Sequence, residues 1–218
     1  MTTSTEPPRS EPRRRAARLS SAGVILEAAT TLFLQKGYAG TSMDEVASLA
    51  GVSKQTVYTH FSDKERLFSD LVLRNTDRVD AFVDEIATIL VDTADLDHDL
   101  RSLARRYMAS VIQPTVLQLR RLMIGEAARF PDLAKAYYDR VPERVVAALA
   151  AHLQRLTDRG VLRVPDPVLA ANHLVALLLW VPLDRAMFRM EQQSLSPGEL
   201  DSLADAGVRV FLAAYRVS

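Results

Sequence analysis

The 218-residue sequence contains no cysteine. Disulfides and thiolate-ligated metal sites are therefore excluded, and a reducing compartment suits the chain without being required. Aromatic residues, glycine and proline are all sparse, so the last two punctuate the chain rather than dominate it. The first twenty residues hold no apolar segment of the kind a secretory leader needs, and no signal sequence is expected. The longest apolar run, Leu174 to Leu183, is interrupted by Pro182 and falls short of the ~20 residues of a bilayer span. A cytoplasmic protein with no membrane part is the expectation. The four histidines (His60, His98, His152, His173) show no metal-ligand spacing, and a His152–His173 site would need the fold to assemble it. There is no glycine-rich phosphate loop and no nucleophile elbow. Neither a cofactor nor an enzymatic activity is expected.

What is present is a balance of charge that hides two unlike regions. Net charge is zero, but residues 1–18 carry Arg9, Arg13, Arg14, Arg15 and Arg18 against Glu6 and Glu11, a local charge of +3. Residues 77–99 carry eight carboxylates (Asp77, Asp80, Asp84, Glu85, Asp92, Asp95, Asp97, Asp99) against Arg78, a local charge of −7. The first region, with almost nothing apolar to bury, reads as a disordered basic arm over residues 1–19. The second reads as a solvated face and loop.

From Ser20 onward the chain reads as consecutive helices, with neither strand alternation nor internal repeat. Ile25, Ala28, Ala29, Leu32 and Phe33 form one apolar stripe on a helix from Ser21 to Lys36, which Gly37 should end in a left-handed cap. Ser42 and Glu45 make a capping box for a short helix to Ala50. Ser53 opens a third helix ending near His60. Ser62 with Glu65 reads as a second box, opening a long helix from Asp63 to about Leu90. Further helices are expected over Leu96–Gln113, Pro114–Arg129, Leu133–Asp158 (kinked or divided at Pro142), Val168–Glu191 and from Ser196 to about Tyr215. The fold class is all-α: a small N-terminal helical domain over 20–66, then a larger helical domain over 67–218.

Met43–Phe61 carries the most specific pattern. A helix-turn-helix needs a small residue where its helices approach, here Ala47, and a turn residue tolerant of positive φ, here Gly51. Val46, Leu49, Val52 and Val57 should lock the pair. The outward side of the second helix then offers Ser53, Lys54, Gln55, Thr56, Tyr58, Thr59 and His60 to DNA. Gln55 suits an adenine edge, while Tyr58 and His60 suit phosphates or a thymine methyl.

The stretch from Val24-Ile25-Leu26-Glu27-Ala28-Ala29 through Leu32-Phe33, Gly37-Tyr38, Thr41-Ser42-Met43, Ala47, Ala50-Gly51-Val52-Ser53, Val57-Tyr58, His60-Phe61 and Lys64-Glu65 resembles the N-terminal domain of the tetracycline-repressor (TetR/AcrR) family. About fifty continuous residues are involved; the later two-thirds of the chain carries no comparable signature. The resemblance implies a homodimeric, ligand-responsive regulator of a palindromic double-stranded operator, most often a repressor released by a small-molecule inducer. It also implies backbone contacts from Thr41 and Ser42 and a phosphate contact from Lys64, whose helix N-terminus favours an anion.

The resemblance further implies that the last two helices pair across a dimer, and the apolar character of Val168–Glu191 on nearly all sides suits that role. Val208, Val210, Phe211, Leu212 and Tyr215 would supply the second helix. Large residues of the middle helices are candidates for an inducer pocket: Tyr107, Met108, Ile112, Met123, Phe130, Tyr137, Tyr138, Trp180 and Met187. Plain core packing is the competing role for each. Arg105, Arg121 and His173 could pair with an acidic ligand or serve as surface or interface charges. A ligand-independent or activating regulator with a filled core is the alternative, and an empty pocket of several hundred Å³ distinguishes the two.

Overall fold

The computed structural model describes residues 11–74, 76–91, 93–188 and 195–217. Among these the chain forms α1 (Glu11–Lys36), α2 (Met43–Ala50), α3 (Lys54–His60), α4 (Lys64–Arg74), α5 (Thr76–Leu90), α6 (Leu96–Val111), α7 (Pro114–Glu126), α8 (Pro131–Arg140), α9 (Pro142–Asp158), α10 (Pro167–Phe188) and α11 (Pro197–Tyr215). The fold is all-α, with one isolated antiparallel bridge between Leu162 and Arg216. It divides into two compact units, Met1–Val72 and Leu73–Ser218.

Several elements differ from expectation, each for a local reason. Helix α1 starts at Glu11, so residues 11–19 of the expected disordered arm are helical; residues 1–10 lie outside the described residues. Alanine and arginine are good helix formers, and Glu11-Pro12 suits a first turn. The single helix expected from Asp63 to Leu90 is two helices, with Asn75 between them outside the described residues. Its cap is Asp63 rather than Ser62: the Asp63 carboxylate accepts the Arg66 amide at 2.7 Å, while the Ser62 hydroxyl donates to Asp63. Pro142 divides α8 from α9 by opening the latter. Pro182, by contrast, sits inside α10, whose expected extension to Glu191 lies outside the described residues.

In the first unit, Ile25, Ala29 and Phe33 of α1 are fully buried. Phe33, Tyr38 and Phe68 form a three-ring cluster with centroids 5.1–5.9 Å apart. Gly37 ends α1 at φ 72°, a conformation that penalises any side chain with a Cβ. The loop that follows is held from α4. The Lys64 ammonium donates to the carbonyls of Tyr38 (2.9 Å) and Thr41 (2.8 Å) and lies 4.4 Å from the Tyr38 ring centroid. One cation thus fixes both ends of the turn feeding α2.

In the second unit, the core gathers residues of α5, α6, α9, α10 and α11 around Leu100, Met108, Leu153, Leu178 and Phe211. At Gly207 of α11, a Cβ would lie 3.0 Å from Leu178 Cδ2 and 3.3 Å from the Leu177 carbonyl oxygen. A side chain there would press on both, so glycine eases the close approach of α11 to α10. The acidic region is largely exposed, as expected, and several of its carboxylates are paired there. Asp80 of α5 accepts Arg144 of α9 at 2.6 Å, Glu85 pairs with Arg106 of α6, and Asp97 pairs with Arg101. After α9, the Arg163 amide donates to the Tyr215 carbonyl at 2.8 Å, tying that loop to the end of α11.

Helix α10 extends beyond the Leu174–Leu183 run at both ends, so by length and composition it could cross a bilayer. That corrects the sequence estimate, which weighed only the run Leu174–Leu183, interrupted by Pro182. In this fold α10 serves as a core helix, with Ala170, Ala171, Leu174, Leu178 and Leu179 buried.

Two stability effects follow. His152 of α9 is buried and its Nδ1 has no hydrogen-bond partner; burial first, then the Arg155 charge, hold its pKa below the usual 6.5. The unfolded chain therefore binds the proton that folded His152 resists, so its contribution is intact above 6.5 and declines as pH falls below it. Urea midpoints should drop between about pH 7 and about pH 5, and His152→Leu should flatten that dependence; parallel curves would contradict the assignment. Lys64→Met should cost about 2 kcal/mol by removing a charged donor from two carbonyls. An unchanged urea midpoint would show that water serves those carbonyls equally well.

Candidate nucleic-acid interface and cavity

Helices α2 and α3 form the helix-turn-helix. The Ser42 hydroxyl accepts the Glu45 amide at 3.2 Å, and the Glu45 carboxylate accepts the Ser42 amide at 3.0 Å. Lys36, at the end of α1, also donates to that carboxylate. The Lys36 ammonium first, then the Ser42 hydroxyl, bring the Glu45 pKa down to about 2. Gly51 takes the left-handed conformation (φ 64°, ψ 29°), and the Val52 amide reaches the Ala47 carbonyl at 3.1 Å. The turn is sharp because Ala47 is small and Gly51 has no Cβ. Val46 and Val57 are fully buried and Val52 is half-buried. Leu49 was expected to join them, yet it is 53% exposed, so it points away from the helix pair.

Helix α3 keeps Val57 inward and leaves Lys54, Gln55, Tyr58 and Thr59 exposed, with Thr56 and His60 half-buried. Tyr58 is 43% exposed, a large aromatic surface for so short a helix. Ser53 is first of all a cap: its hydroxyl accepts the Thr56 amide at 3.1 Å and bonds the Thr56 hydroxyl at 2.8 Å. The Thr59 hydroxyl donates back to the Gln55 carbonyl at 2.7 Å. Lys54 pairs with both Asp44 oxygens, at 2.7 and 3.0 Å, and the Asp44 hydrogen bond raises its pKa.

Two expected backbone-contacting residues are engaged elsewhere. Thr41 is 2% exposed; its hydroxyl donates to the Gly37 carbonyl at 2.9 Å and its amide to Tyr38. Its side chain is a structural part of the loop, which removes it from the candidate interface. Lys64 gives two of its three N–H donors to loop carbonyls, leaving one. Ser42 is exposed.

The second unit contains a cavity of about 450 Å³ walled by α5 to α10. Of the residues expected there, Tyr107, Tyr137, Trp180 and Met187 line it. Met108 and Met123 are instead in the core and Phe130 is buried away from the cavity. Tyr138 points outward at 57% exposure, and Ile112 caps the end of α6. Phe82 of α5, which sequence reading missed, stacks on Tyr107 with centroids 4.9 Å apart. Also missed was the row Val116, Arg120 and Ile124 on α7, where an arginine interrupts apolar residues at spacings of four. That interruption was the available signal. Burial pushes the Tyr107 hydroxyl up to about 12 and raises that of Tyr137, so both are O–H donors at neutral pH.

Arg105, Arg121 and His173 lie outside this cavity. Arg105 forms a two-point pair with Asp205 (2.9 and 2.6 Å), Arg121 donates to the Ala186 carbonyl, and His173 Nδ1 bonds the Tyr215 hydroxyl at 2.7 Å. Among the described residues no group of three or more potential ligands could hold a metal ion.

Comparison with known proteins agrees with this geometry. A family model described as bacterial regulatory proteins, tetR family, matches residues 25–71. Another, the C-terminal domain of AefR-like transcriptional repressors, matches residues 98–217. The HTH-type transcriptional regulator YhgD of Bacillus subtilis (strain 168) is 56% identical over 48 residues, covering 22% of this chain and 25% of that protein. The matches span less than half the length of the first curated relatives. A solved TetR-family regulator from Mesorhizobium loti MAFF303099 is 44% identical with TM-score 0.85, covering 92% of this chain and 98% of that one. The flavonoid-responsive regulator FrrA is 31% identical with TM-score 0.67, covering 90% and 97%. With its helix-turn-helix unit and helical C-terminal unit, the chain belongs to the tetR family of DNA-binding transcriptional regulators.

Proposed function

We propose that the protein is a dimeric repressor that leaves its operator when a small molecule occupies the cavity of the second unit. The observation that carries this reading is the cavity itself. At about 450 Å³ it falls within the range of small-molecule sites, roughly 300–1,000 Å³, whereas a ligand-independent regulator with a filled core would have none. The match to AefR-like transcriptional repressors supports repression, and the flavonoid response of FrrA supports control by a small molecule.

In this reading α3 enters the major groove. Gln55 is the candidate for a base edge, and Tyr58, Thr59 and His60 for phosphates or a thymine methyl. Ser42, Ser53, Lys54 and Thr56 contribute at the periphery, and the remaining donor of Lys64 reaches a phosphate. The dimer forms through α10 and α11, where Leu169, Leu177, Val181 and Val210 are exposed. Two copies then present their α3 helices to successive major grooves about 34–36 Å apart. The inducer releases DNA only to the extent that it binds the non-matching conformer more tightly.

Footprinting of the purified protein on its genomic DNA should reveal pseudo-palindromic sites. On such a site Tyr58→Ala should weaken binding about 10- to 100-fold by fluorescence anisotropy while the oligomeric state is unchanged. Wild-type affinity in that variant would contradict the assigned recognition surface.

A further inference from the structure

The cavity is apolar except at a few points, and among the described residues that line it the one cation, Arg120, forms no ion pair. Arg120 of α7 lines it, is partly buried, and forms neither an ion pair nor a hydrogen bond with any described residue. Tyr107, 7% exposed, lines the same cavity with its hydroxyl likewise unpartnered. Tyr137 adds a second hydroxyl to the wall, and the Arg120 charge acts on both phenols. Guanidinium beside two O–H donors is a set suited to an anion: the guanidinium only donates, and each protonated phenol has an O–H to give. Leaving such a group unpaired in an apolar wall is costly, and a bound acid would relieve that cost.

One carboxylate is present, Asp184 of α10. It is exposed, in the same helical row as Trp180 (72% exposed) and Phe188 (83% exposed), so its charge is hydrated at the mouth. The inward charge is therefore positive. The rest of the lining includes Phe82 and Trp180, flat surfaces that favour rings.

We infer that the cavity takes a ring-bearing organic acid, its carboxylate held by Arg120 and the Tyr107 and Tyr137 hydroxyls and its apolar body against Phe82 and Trp180. This rests on the reading of the cavity as an inducer site. The test is titration of the full-length protein, by calorimetry and Trp180 fluorescence, with 2-naphthaleneacetate, its primary amide and 2-(2-naphthyl)ethylammonium. The acid should bind, with the amide about tenfold weaker and the ammonium weaker still. Arg120→Gln should weaken the acid about tenfold and abolish its preference over the amide, and Arg120→Lys should fall between, because it keeps the charge but not the fork. If Arg120→Gln does not fold, the wild-type series and the lysine variant still decide. Equal or stronger binding of amide or ammonium, no binding of any probe, or a preference that survives Arg120→Gln would overturn the inference. Binding of the acid without operator release would instead uphold the anion site and overturn the release mechanism.

Discussion

A helix that is apolar on nearly all sides must be covered on most of them, and α10 imposes that demand on the second unit. Its Ala170, Ala171, Leu174, Leu178 and Leu179 are buried in the chain's own core. Val175, Leu179, Leu183 and Met187 face the cavity. Val168, Leu169, Leu177 and Val181 remain uncovered in a single copy. Core, cavity and an exposed apolar surface are thus three sides of one helix. Gly207 makes this arrangement tight, because α11 approaches α10 closely enough that even a methyl group would strain against Leu178 and the Leu177 backbone.

The first unit meets a different constraint, that of holding a seven-residue helix rigid. So short a helix gains little from its own hydrogen bonds, and α3 has only Val57 fully buried. Its orientation comes from its surroundings: the Ser53 cap, the Gly51 turn, the Glu45–Ser42 box and the Lys64 ammonium fixing the loop before α2. Polar groups of this unit are thereby turned to internal work, Thr41 most completely. The surface left over, centred on Gln55 and Tyr58, is small and preorganised, which limits the ordering entropy lost on binding.

How much of this was legible beforehand depends on the range of the interaction. The turn at Gly51 and the Ser42–Glu45 box are local and were read correctly from neighbouring residues, which at Pro142 left a kink and a division both open. Leu49 was misread because its surroundings lie outside its own helix: the same apolar residue can face a partner or solvent. The two loop carbonyls that Lys64 holds went unseen for the same reason, since they belong to the loop before α2. Helix α1 begins before Ser21 because helix propensity in an arginine- and alanine-rich segment outweighed its lack of apolar residues. The cavity was the least legible part. Size and aromaticity found Tyr107, Tyr137, Trp180 and Met187, but they equally suggested Met108 and Met123, which pack in the core. Arg120 gave a signal only as a charge interrupting an apolar row, and its meaning required knowing which helices face it.

In the proposed repressor a second copy of the chain closes the uncovered side of α10, pairing two recognition helices on one operator. Sedimentation equilibrium of the full-length protein at micromolar concentration tests it most directly. The wild type should sediment at twice the 24.2 kDa chain mass, and Leu177→Asp, which places a charge in the middle of the uncovered side, should return it to one chain mass with its helical circular dichroism retained. A monomeric wild type, or a dimer indifferent to Leu177→Asp and Val181→Asp, would contradict the account.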